Sequence, residues 1–295
     1  MANKTIKKNN QKKGETKMKN IKKFSILALV LVLALGILTA CGGGSDSSSD
    51  DSADKTIKVA ASPTPHAEIL NSISDALAEE GWTLEVVEFD DYVQPNVATT
   101  DGDVDANYFQ HVPYLDQYNE ENGTDLVAVG NVHYEAMGAY KGTKDSFDAL
   151  EEGDKIAVPN DVTNEARALQ LLAANGVITL KDGVGLEATK TDIEDNPKGV
   201  EIVELEAASI PASLPDLAFG VINANYALGA ELTTADAVAY EAEDSEAAET
   251  YVNVIVVNAG NENSEKTQAL VKAVQTDAVK EFIAEKYNGA VIAKF

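Results

Sequence analysis

Arg167 is the only arginine in a chain of 295 residues that has 23 basic and 49 acidic side chains. Its planar guanidinium can hold a carboxylate through two parallel hydrogen bonds, which the ammonium of a lysine cannot do. Thr163 or Asn164 is a natural N-cap, so the sequence places Arg167 in the first turn of the following helix. There the guanidinium and the free backbone N–H groups would both favour an anion. We therefore expect a carboxylate site; the alternative is an exposed arginine, or one paired with an acid.

Asparagine amides are the next candidates for contact with a small polar ligand. Asn164 shares the helix of Arg167, whereas Asn223 and Asn225 follow an apolar run at a predicted strand end. Clefts of α/β proteins form at such strand ends. An amide oxygen can accept from a ligand ammonium, and an amide N–H₂ can donate to a ligand carboxylate. Local capping of a turn is the alternative role for each amide.

Aromatic side chains cluster in the segment YFQHVPY (108–114), which follows an acid-rich turn. Together with Tyr92, the rings of Phe109 and Tyr114 could form the wall of a pocket for an apolar group. His111 lies among these rings and could hydrogen-bond a tyrosine or a ligand. Simple packing in the core is the alternative for any one ring.

No recognised catalytic or metal-binding motif is present in the sequence. His66, His111 and His133 have no paired spacing on one helix, and the acids form no calcium-loop pattern. The sequence also lacks a G-x-S-x-G motif and a P-loop. We therefore expect neither a metal site nor a cofactor, and a protein that is not an enzyme.

Hydrophobic patterns predict an alternating α/β chain. Strands are predicted at 56–61, 83–89, 126–132, 155–158, 201–205, 217–222 and 251–257, and helices at 164–174 and 264–287. The first strand, a helix opened by Pro63 and Pro65, and the second strand form a parallel crossover unit. We expect residues 56–138 and 246–295 to form lobe 1 and residues 139–245 to form an inserted lobe 2, with a hinge and a ligand cleft between them.

Residues 1–40 have the pattern of a secretory signal peptide. Lysines precede an apolar run from Phe24 to Leu38, which is too short for a comfortable membrane span. The run ends in Leu-Thr-Ala-Cys41, which resembles the lipobox of bacterial lipoproteins, where the cysteine is lipidated after cleavage. An ordinary secretory signal with an incidental cysteine is the alternative. Met18 looks a more usual start than Met1, which raises the alternative that residues 1–17 are an overcalled start.

Residues 41–55 are almost entirely Gly, Ser and Asp behind Cys41, so they cannot bury a core and are expected to act as a flexible tether. The whole chain has a net charge of −26, and nine of its lysines lie in residues 1–40. The remaining body is therefore strongly acidic and repels polyanions, which excludes nucleic acid as a partner and favours a soluble monomer. We expect a globular body anchored by lipid on the extracytoplasmic face of the cell membrane.

Seven segments, in the family's order, resemble the NlpA family of substrate-binding lipoproteins, the methionine-binding components of ABC importers. They are SPTPHAEIL (62–70), EFDDYVQPN (88–96), DANYFQHVPYLDQY (105–118), IAVPNDVTNEARAL (156–169), DNPKGVEIVELEAA (195–208), VINANYAL (221–228) and YVNVIVV (251–257). The resemblance covers essentially all of residues 55–295. It implies a type II periplasmic-binding-protein fold, with two α/β lobes that close over L-methionine or a close relative. An ABC permease and its ATPase would then be the partners.

The resemblance also assigns roles to single residues. Arg167 matches the arginine that grips the ligand carboxylate. The remaining assignments are Asn164, Asn225 and Asn223 around the amino-acid backbone, Asn253 near the hinge, and Tyr92, Phe109, His111 and Tyr114 around the ligand side chain.

Two segments depart from the family pattern. VHYEAMGAYKG (132–142) lacks the usual proline before Met-Gly and the usual serine after the tyrosine, and SIPASLPDLAFG (209–220) lacks a basic residue and an acidic pair. Because both could border the cleft, D-methionine, a methionine-containing dipeptide and another amino acid stay open as ligands. A metal-ion receptor on the same anchor, or an adhesin or enzyme that has adopted the fold, are the alternative functions.

Overall fold

The computed structural model describes residues 54–295, so the predicted signal, Cys41 and most of the tether lie outside the described residues. The strands are β1 Thr56–Ala61, β2 Thr83–Glu88, β3 Ala106–His111, β4 Leu126–Glu135, β5 Gly138–Lys141, β6 Lys155–Pro159, β7 Thr179–Leu180, β8 Ile193–Asp195, β9 Glu201–Leu205, β10 Phe219–Ile222, β11 Ala237–Tyr240, β12 Asn253–Asn258 and β13 Val291–Ala293. The helices are α1 Glu68–Ser72, α2 Ser74–Glu79, α3 Gln94–Asp101, α4 Val112–Asn122, α5 Val162–Ala174, α6 Ile210–Ser213, α7 Ala224–Gly229, α8 Glu246–Thr250, α9 Glu265–Val274 and α10 Asp277–Tyr287. Among residues 54–295, no helix has both the length and the apolar character that a membrane crossing would require.

Two mixed sheets organise the fold. The six-stranded sheet has the order β13-β4-β12-β3-β1-β2, and the five-stranded sheet has the order β11-β5-β10-β6-β9. The chain passes from the first sheet to the second between Glu135 and Gly138, and it returns between Tyr240 and Asn253. We call the part built on the six-stranded sheet lobe 1 and the part built on the five-stranded sheet lobe 2.

Lobe 1 begins with the predicted crossover unit. β1 and β2 pair in parallel, with Thr56 opposite Thr83. Apolar residues of β1 pack with those of α1, α2, α9 and α10 in one core, in which Ile57, Leu70 and Leu270 are almost fully buried. Burying this apolar surface is the main force that holds the helices against the sheet.

The prediction of one continuous helix at 264–287 was wrong, because this segment forms two helices, α9 and α10, with a break between them. The chain leaves helical geometry at Gln275, and Thr276 then caps α10 by accepting a hydrogen bond from the Val279 backbone N–H. A threonine side chain can satisfy such a free N–H, so the Thr-Asp pair starts a new helix instead of continuing the old one.

Lobe 2 is centred on β6 and α5. Leu169 and Leu172 of α5 pack on Ile156 and Val158 of β6 and on Phe219 of β10 in the core of this lobe. Helix α5 begins at Val162, and the Asp161 side chain accepts from the Asn164 backbone N–H at 3.0 Å. The predicted N-cap at Thr163 or Asn164 is therefore wrong. Arg167 lies in the second turn, and the acid of Asp161 already occupies part of the anion site that we expected at the helix end.

Candidate functional site

All nine predicted ligand-contact residues line the same cavity between the two lobes. The space between its walls, including the part that opens to solvent, is about 360 Å³. Lobe 1 supplies residues from the loop after β2, the end of β3, α4 and the start of β12; lobe 2 supplies residues from α5 and from the end of β10 into α7. The predicted residues in the wall are Tyr92, Phe109, His111, Tyr114, Asn164, Arg167, Asn223, Asn225 and Asn253.

Arg167 is buried and already paired with an acid. Its Nε donates to Glu241 Oε1 at 2.7 Å, and its Nη2 donates to Glu241 Oε2 at 2.5 Å and to the Glu135 backbone oxygen at 2.8 Å. The Glu241 carboxylate raises the pKa of Arg167 against the opposing effect of burial, so the guanidinium is charged. The sequence analysis gave pairing of Arg167 with an acid as an alternative, and the structure shows this pairing. Because Nε and Nη2 serve Glu241, Nη1 is the donor of this side chain that a ligand can use in the cavity.

Glu241 also connects the two crossings between the lobes. Its Oε2 accepts from the Met137 backbone N–H at 2.8 Å and from the Tyr134 hydroxyl at 2.9 Å. Its own backbone N–H donates to the Met137 carbonyl at 3.1 Å. The side chain of Arg167 is therefore fastened to the hinge region by a carboxylate with four hydrogen-bond donors. The sequence analysis missed Glu241, because it lies 74 positions from Arg167 and is one acid among 49.

The amides form a linked polar wall. Asn164 Oδ1 accepts from Asn223 Nδ2 at 2.8 Å and from His111 Nε2 at 3.3 Å. His111 Nδ1 accepts from the Tyr114 backbone N–H, which leaves the ring hydrogen on Nε2. Burial and the charge of Arg167 lower the pKa of His111 to about 3. Asn223 Oδ1 is buried without a hydrogen-bond partner among the described residues, which makes it an acceptor available to a ligand.

Aromatic rings form another part of the cavity wall. The ring centroid of Tyr92 lies 6.0 Å from that of Phe109, 5.9 Å from that of Tyr114 and 4.9 Å from that of Tyr226. The Tyr92 hydroxyl donates to Asn225 Oδ1 at 2.6 Å, and the Tyr226 hydroxyl donates to the Asp90 backbone oxygen at 3.1 Å. These two hydrogen bonds join lobe 1 to lobe 2 beside the cavity. Tyr226 was not among the predicted residues, although it stands next to Asn225 in the matched segment.

Glu135 is the charged wall residue that the sequence analysis missed. It ends β4 in the first of the two segments that depart from the family pattern, it is only 6% exposed, and it lines the cavity with Gln110. Burial raises the pKa of this carboxyl, and the nearby His66 and Arg167 act in the opposite direction. A lone acid at the end of a buried strand was the signal that could have identified it.

The second departing segment lies beside the cavity rather than in its wall. Helix α6 brings Pro211 and Ala212 to a separate cavity, which shares Asn225 and Tyr226 with the neighbourhood of the predicted site. The charges that this segment lacks would therefore lie near the two hydrogen bonds that join the lobes through Tyr92 and Tyr226. They would not lie among the residues that line the predicted site.

Two of the three histidines, which the sequence showed as scattered, meet at Glu135. His133 Nε2 lies 2.7 Å and His66 Nε2 lies 3.4 Å from Glu135 Oε1, and the donor atoms of the three residues lie within 4.8 Å of one another. His66 Nε2 also lies 3.0 Å from Asn253 Oδ1. In this structure His133 donates to the Glu135 carboxylate and His66 donates to Asn253.

The chain is similar to known proteins over most of its length. The family model described as NlpA lipoprotein matches residues 57–295. The D-methionine-binding lipoprotein MetQ of Escherichia coli is 41% identical over 273 residues, which covers 92% of this chain and 98% of that protein. A crystal structure of a putative lipoprotein from Ruminococcus gnavus is 62% identical and has a TM-score of 0.80, covering 82% of this chain and all of that one. A nutrient binding protein from Burkholderia cenocepacia, solved bound to methionine, is 44% identical with a TM-score of 0.77, covering 81% of this chain and all of that one.

These similarities confirm the fold class predicted from the sequence, because neighbours of this kind have the type II periplasmic-binding-protein fold. Both the family match and the relatives extend over both lobes and therefore over every residue of the cavity wall. The chain belongs to the NlpA lipoprotein family.

Proposed function

We propose that the protein is a lipid-anchored receptor that captures methionine and passes it to the permease of an ABC importer. The observation that carries this proposal is the make-up of the cavity, whose lining combines a carboxylate, a guanidinium and aromatic rings. A free amino acid with an apolar side chain offers the matching ammonium, carboxylate and apolar group. The methionine-bound relative from Burkholderia cenocepacia supports this ligand.

The polar end of the cavity suits a zwitterion. In our proposal the ligand ammonium lies between Glu135 and the unpartnered oxygen of Asn223, and the ligand carboxylate accepts from Arg167 Nη1 and from the amide of Asn225. Each ionised group of the ligand then meets an opposite charge or a hydrogen-bond partner, which offsets the loss of water on entering a closed site.

The aromatic end of the cavity suits a thioether. A sulfur atom makes favourable contacts at the edges of aromatic rings, each contributing about 0.3–1.5 kcal/mol. Burial of the apolar side chain adds roughly 2 kcal/mol. The rings of Tyr92, Phe109 and Tyr114 would supply these contacts.

Capture then takes place by closure of the two lobes. In our proposal residues 56–138 with 246–295 move as one lobe, residues 139–245 move as the other, and the two crossings act as the hinge. The hydrogen bonds from Tyr92 to Asn225 and from Tyr226 to the Asp90 carbonyl join the lobes and belong to the closed form. The receptor would act as a monomer without catalysis, held on the extracytoplasmic face by lipid on Cys41, and its partners would be a permease and its ATPase.

Thermal melts with a panel of compounds test the proposed ligand. A ligand that binds only the folded protein raises its melting temperature, so L-methionine should raise it in protein freed of any retained ligand. D-Methionine, a methionine-containing dipeptide and other amino acids rank the alternatives, and zinc or manganese tests the metal-ion receptor. A rise with a metal that a chelator abolishes, with none from any amino acid, would contradict the proposal.

A further inference from the structure

The side chains of Tyr108, His133 and His66 surround Glu135, and their contacts fix the direction of each hydrogen bond. The Tyr108 hydroxyl contacts His133 Nδ1 and can donate to it. The ring hydrogen of His133 then sits on Nε2 and points at Glu135 Oε1, 2.7 Å away. His66 Nε2 faces two oxygen acceptors, Asn253 Oδ1 and Glu135 Oε1, so it also carries a hydrogen. The His133 N–H therefore donates to Glu135 Oε1, whereas the His66 N–H donates to Asn253 Oδ1 at 3.0 Å and lies 3.4 Å from Glu135 Oε1.

This arrangement fixes the Glu135 carboxylate at the edge of the ligand cavity. Oε1 accepts from His133 Nε2, the carboxylate also accepts from the Asn225 backbone N–H, and the side chain lines the cavity. Hydrogen bonds to the charged form of a carboxyl stabilise that form. Burial alone would instead favour the protonated form, and it does raise the pKa of Glu135.

The surroundings offer no second strong acid or base in direct contact with this carboxylate among the described residues. The groups that face it from the packed elements are Arg167 on α5, the Asn225 backbone N–H on α7, and Tyr92, Tyr108, Tyr140 and Tyr287. Burial raises the pKa of each of these tyrosines, so they stay neutral. Arg167 is neutralised by Glu241.

We infer that His133 is a positioning residue that keeps Glu135 ionised and aimed at the ligand. The cleft then selects a free cationic amine, and binding expels a proton from the cluster at a pH low enough for Glu135 to be protonated. This inference rests on the proposed function, in which an ammonium lies at Glu135. A ligand with a neutral group in place of the ammonium would gain nothing from the carboxylate.

The added proton has a defined place in the cluster. When Glu135 is protonated, its O–H can donate to His133 Nε2, the ring hydrogen moves to Nδ1, and the Tyr108 oxygen can accept from it. The cluster thus has two hydrogen-bonded states that differ by one proton. An ammonium group beside Glu135 favours the ionised state, so ligand and proton compete.

Calorimetric titrations between pH 5 and pH 8, in buffers with different ionisation enthalpies, test the inference. The probes are L-methionine and its 2-hydroxy analogue, which lacks the amine. For the wild type we expect the affinity for L-methionine to be constant near pH 8. Below a certain pH, which we call the onset, the affinity should fall by up to tenfold per pH unit, and binding should release up to one proton per ligand. The hydroxy analogue should bind more weakly at pH 8 and release no proton.

Three variants separate positioning from structure. His133→Leu removes one N–H donor from Glu135 and should move the onset upward by about one pH unit, which weakens L-methionine binding about tenfold at the wild-type onset. His133→Gln offers an amide N–H near the position of Nε2 and should restore most of the wild-type profile. His111→Leu removes a buried histidine that contacts Asn164 instead, so it should weaken binding equally at every pH without moving the onset.

Two outcomes have different meanings. Tight binding of L-methionine with no proton release at any pH, or an unmoved onset in His133→Leu, would overturn the inference and leave the proposed function intact. Failure of every amino acid to bind the wild type would overturn the proposed function and the inference with it.

Discussion

The pair formed by Arg167 and Glu241 gives the account its sharpest test, because the two residues should separate stability from binding. In the first helical turn, where the sequence places it, the arginine would conflict with the helix dipole, and its loss would be almost neutral. In the structure both side chains of the pair are at most 7% exposed, and two of the four donors to Glu241 come from Arg167. Arg167→Ala therefore leaves a buried carboxylate without its cation.

The magnitude follows from that burial. Breaking a buried ion pair by removing one partner typically costs about 3–5 kcal/mol, which for a domain of this size lowers the melting temperature by roughly 6–20 °C. In Arg167→Ala with Glu241→Gln, the glutamine can still accept from Tyr134 and from the Met137 N–H. The double variant should therefore recover much of the stability of the ligand-free protein.

Binding should not recover with stability. Loss of the cation leaves the ligand carboxylate unpaired, which costs about 2–5 kcal/mol and weakens affinity roughly thirtyfold to several thousandfold in both variants. Arg167→Lys should recover only part of this, because a lysine ammonium lacks the planar fork that holds Glu241 through Nε and Nη2 while Nη1 faces the ligand.

Urea melts of ligand-free protein and calorimetric titration with L-methionine measure the two effects. Lys272→Ala is the matched control, since its pair with Glu80 is exposed and its loss should affect neither quantity appreciably. A double variant as unstable as Arg167→Ala would show that Glu241 is not the stabilising partner. Unchanged affinity in either variant would show that the arginine is not a ligand group.

Further predictions concern pH, closure and anchoring. Burial lowers the pKa of His66 to about 4 and of His111 and His133 to about 3. Because the unfolded chain takes up protons at these histidines below a pKa of about 6.5 and the folded protein does not, the free energy of unfolding should fall as the pH drops from about 6.5 to 4, by up to about 1.4 kcal/mol per histidine and pH unit. Urea melts measure this fall, and a flat profile would refute the neutral burial of the histidines. Tyr92→Phe removes a hydroxyl that bonds the amide on the opposite lobe, and its affinity for L-methionine should fall about fivefold to tenfold, whereas equal affinity by titration would argue against that bond in the closed form. Cys41→Ala should abolish partition into the detergent phase, and a variant that still partitions there after signal removal would contradict the lipid anchor.

The sequence predicted regular elements best where apolar residues alternate between clear turn signals. β9 was predicted at its observed bounds, whereas β3 was read only as an aromatic pocket segment. The reason is that β3 buries amides: Asn107 and Gln110 hydrogen-bond with each other and with Asn96 at 2.6–3.0 Å. A buried polar network satisfies these groups in the fold but breaks the apolar pattern by which a strand is recognised.

The residues of the candidate site divide in the same way. Residues inside matched motifs, such as Arg167 and Asn225, were predicted and do line the cavity. Glu241 was missed because it lies 74 positions from Arg167 and is one acid among 49, whereas Glu135 was missed although its place at the end of a buried strand was a usable signal. Pairing across the fold is visible only once the sheets place β4, α5 and the second crossing together.

Crystals of the protein grown with L-selenomethionine as ligand test the central claim most directly. Anomalous scattering locates the selenium, and the electron density shows the orientation of the amino acid. The account predicts selenium against the rings of Tyr92, Phe109 and Tyr114, with the ligand carboxylate at Arg167 and the ammonium at Glu135. Selenium outside this cavity, or a ligand turned so that its ammonium faces Arg167, would contradict it.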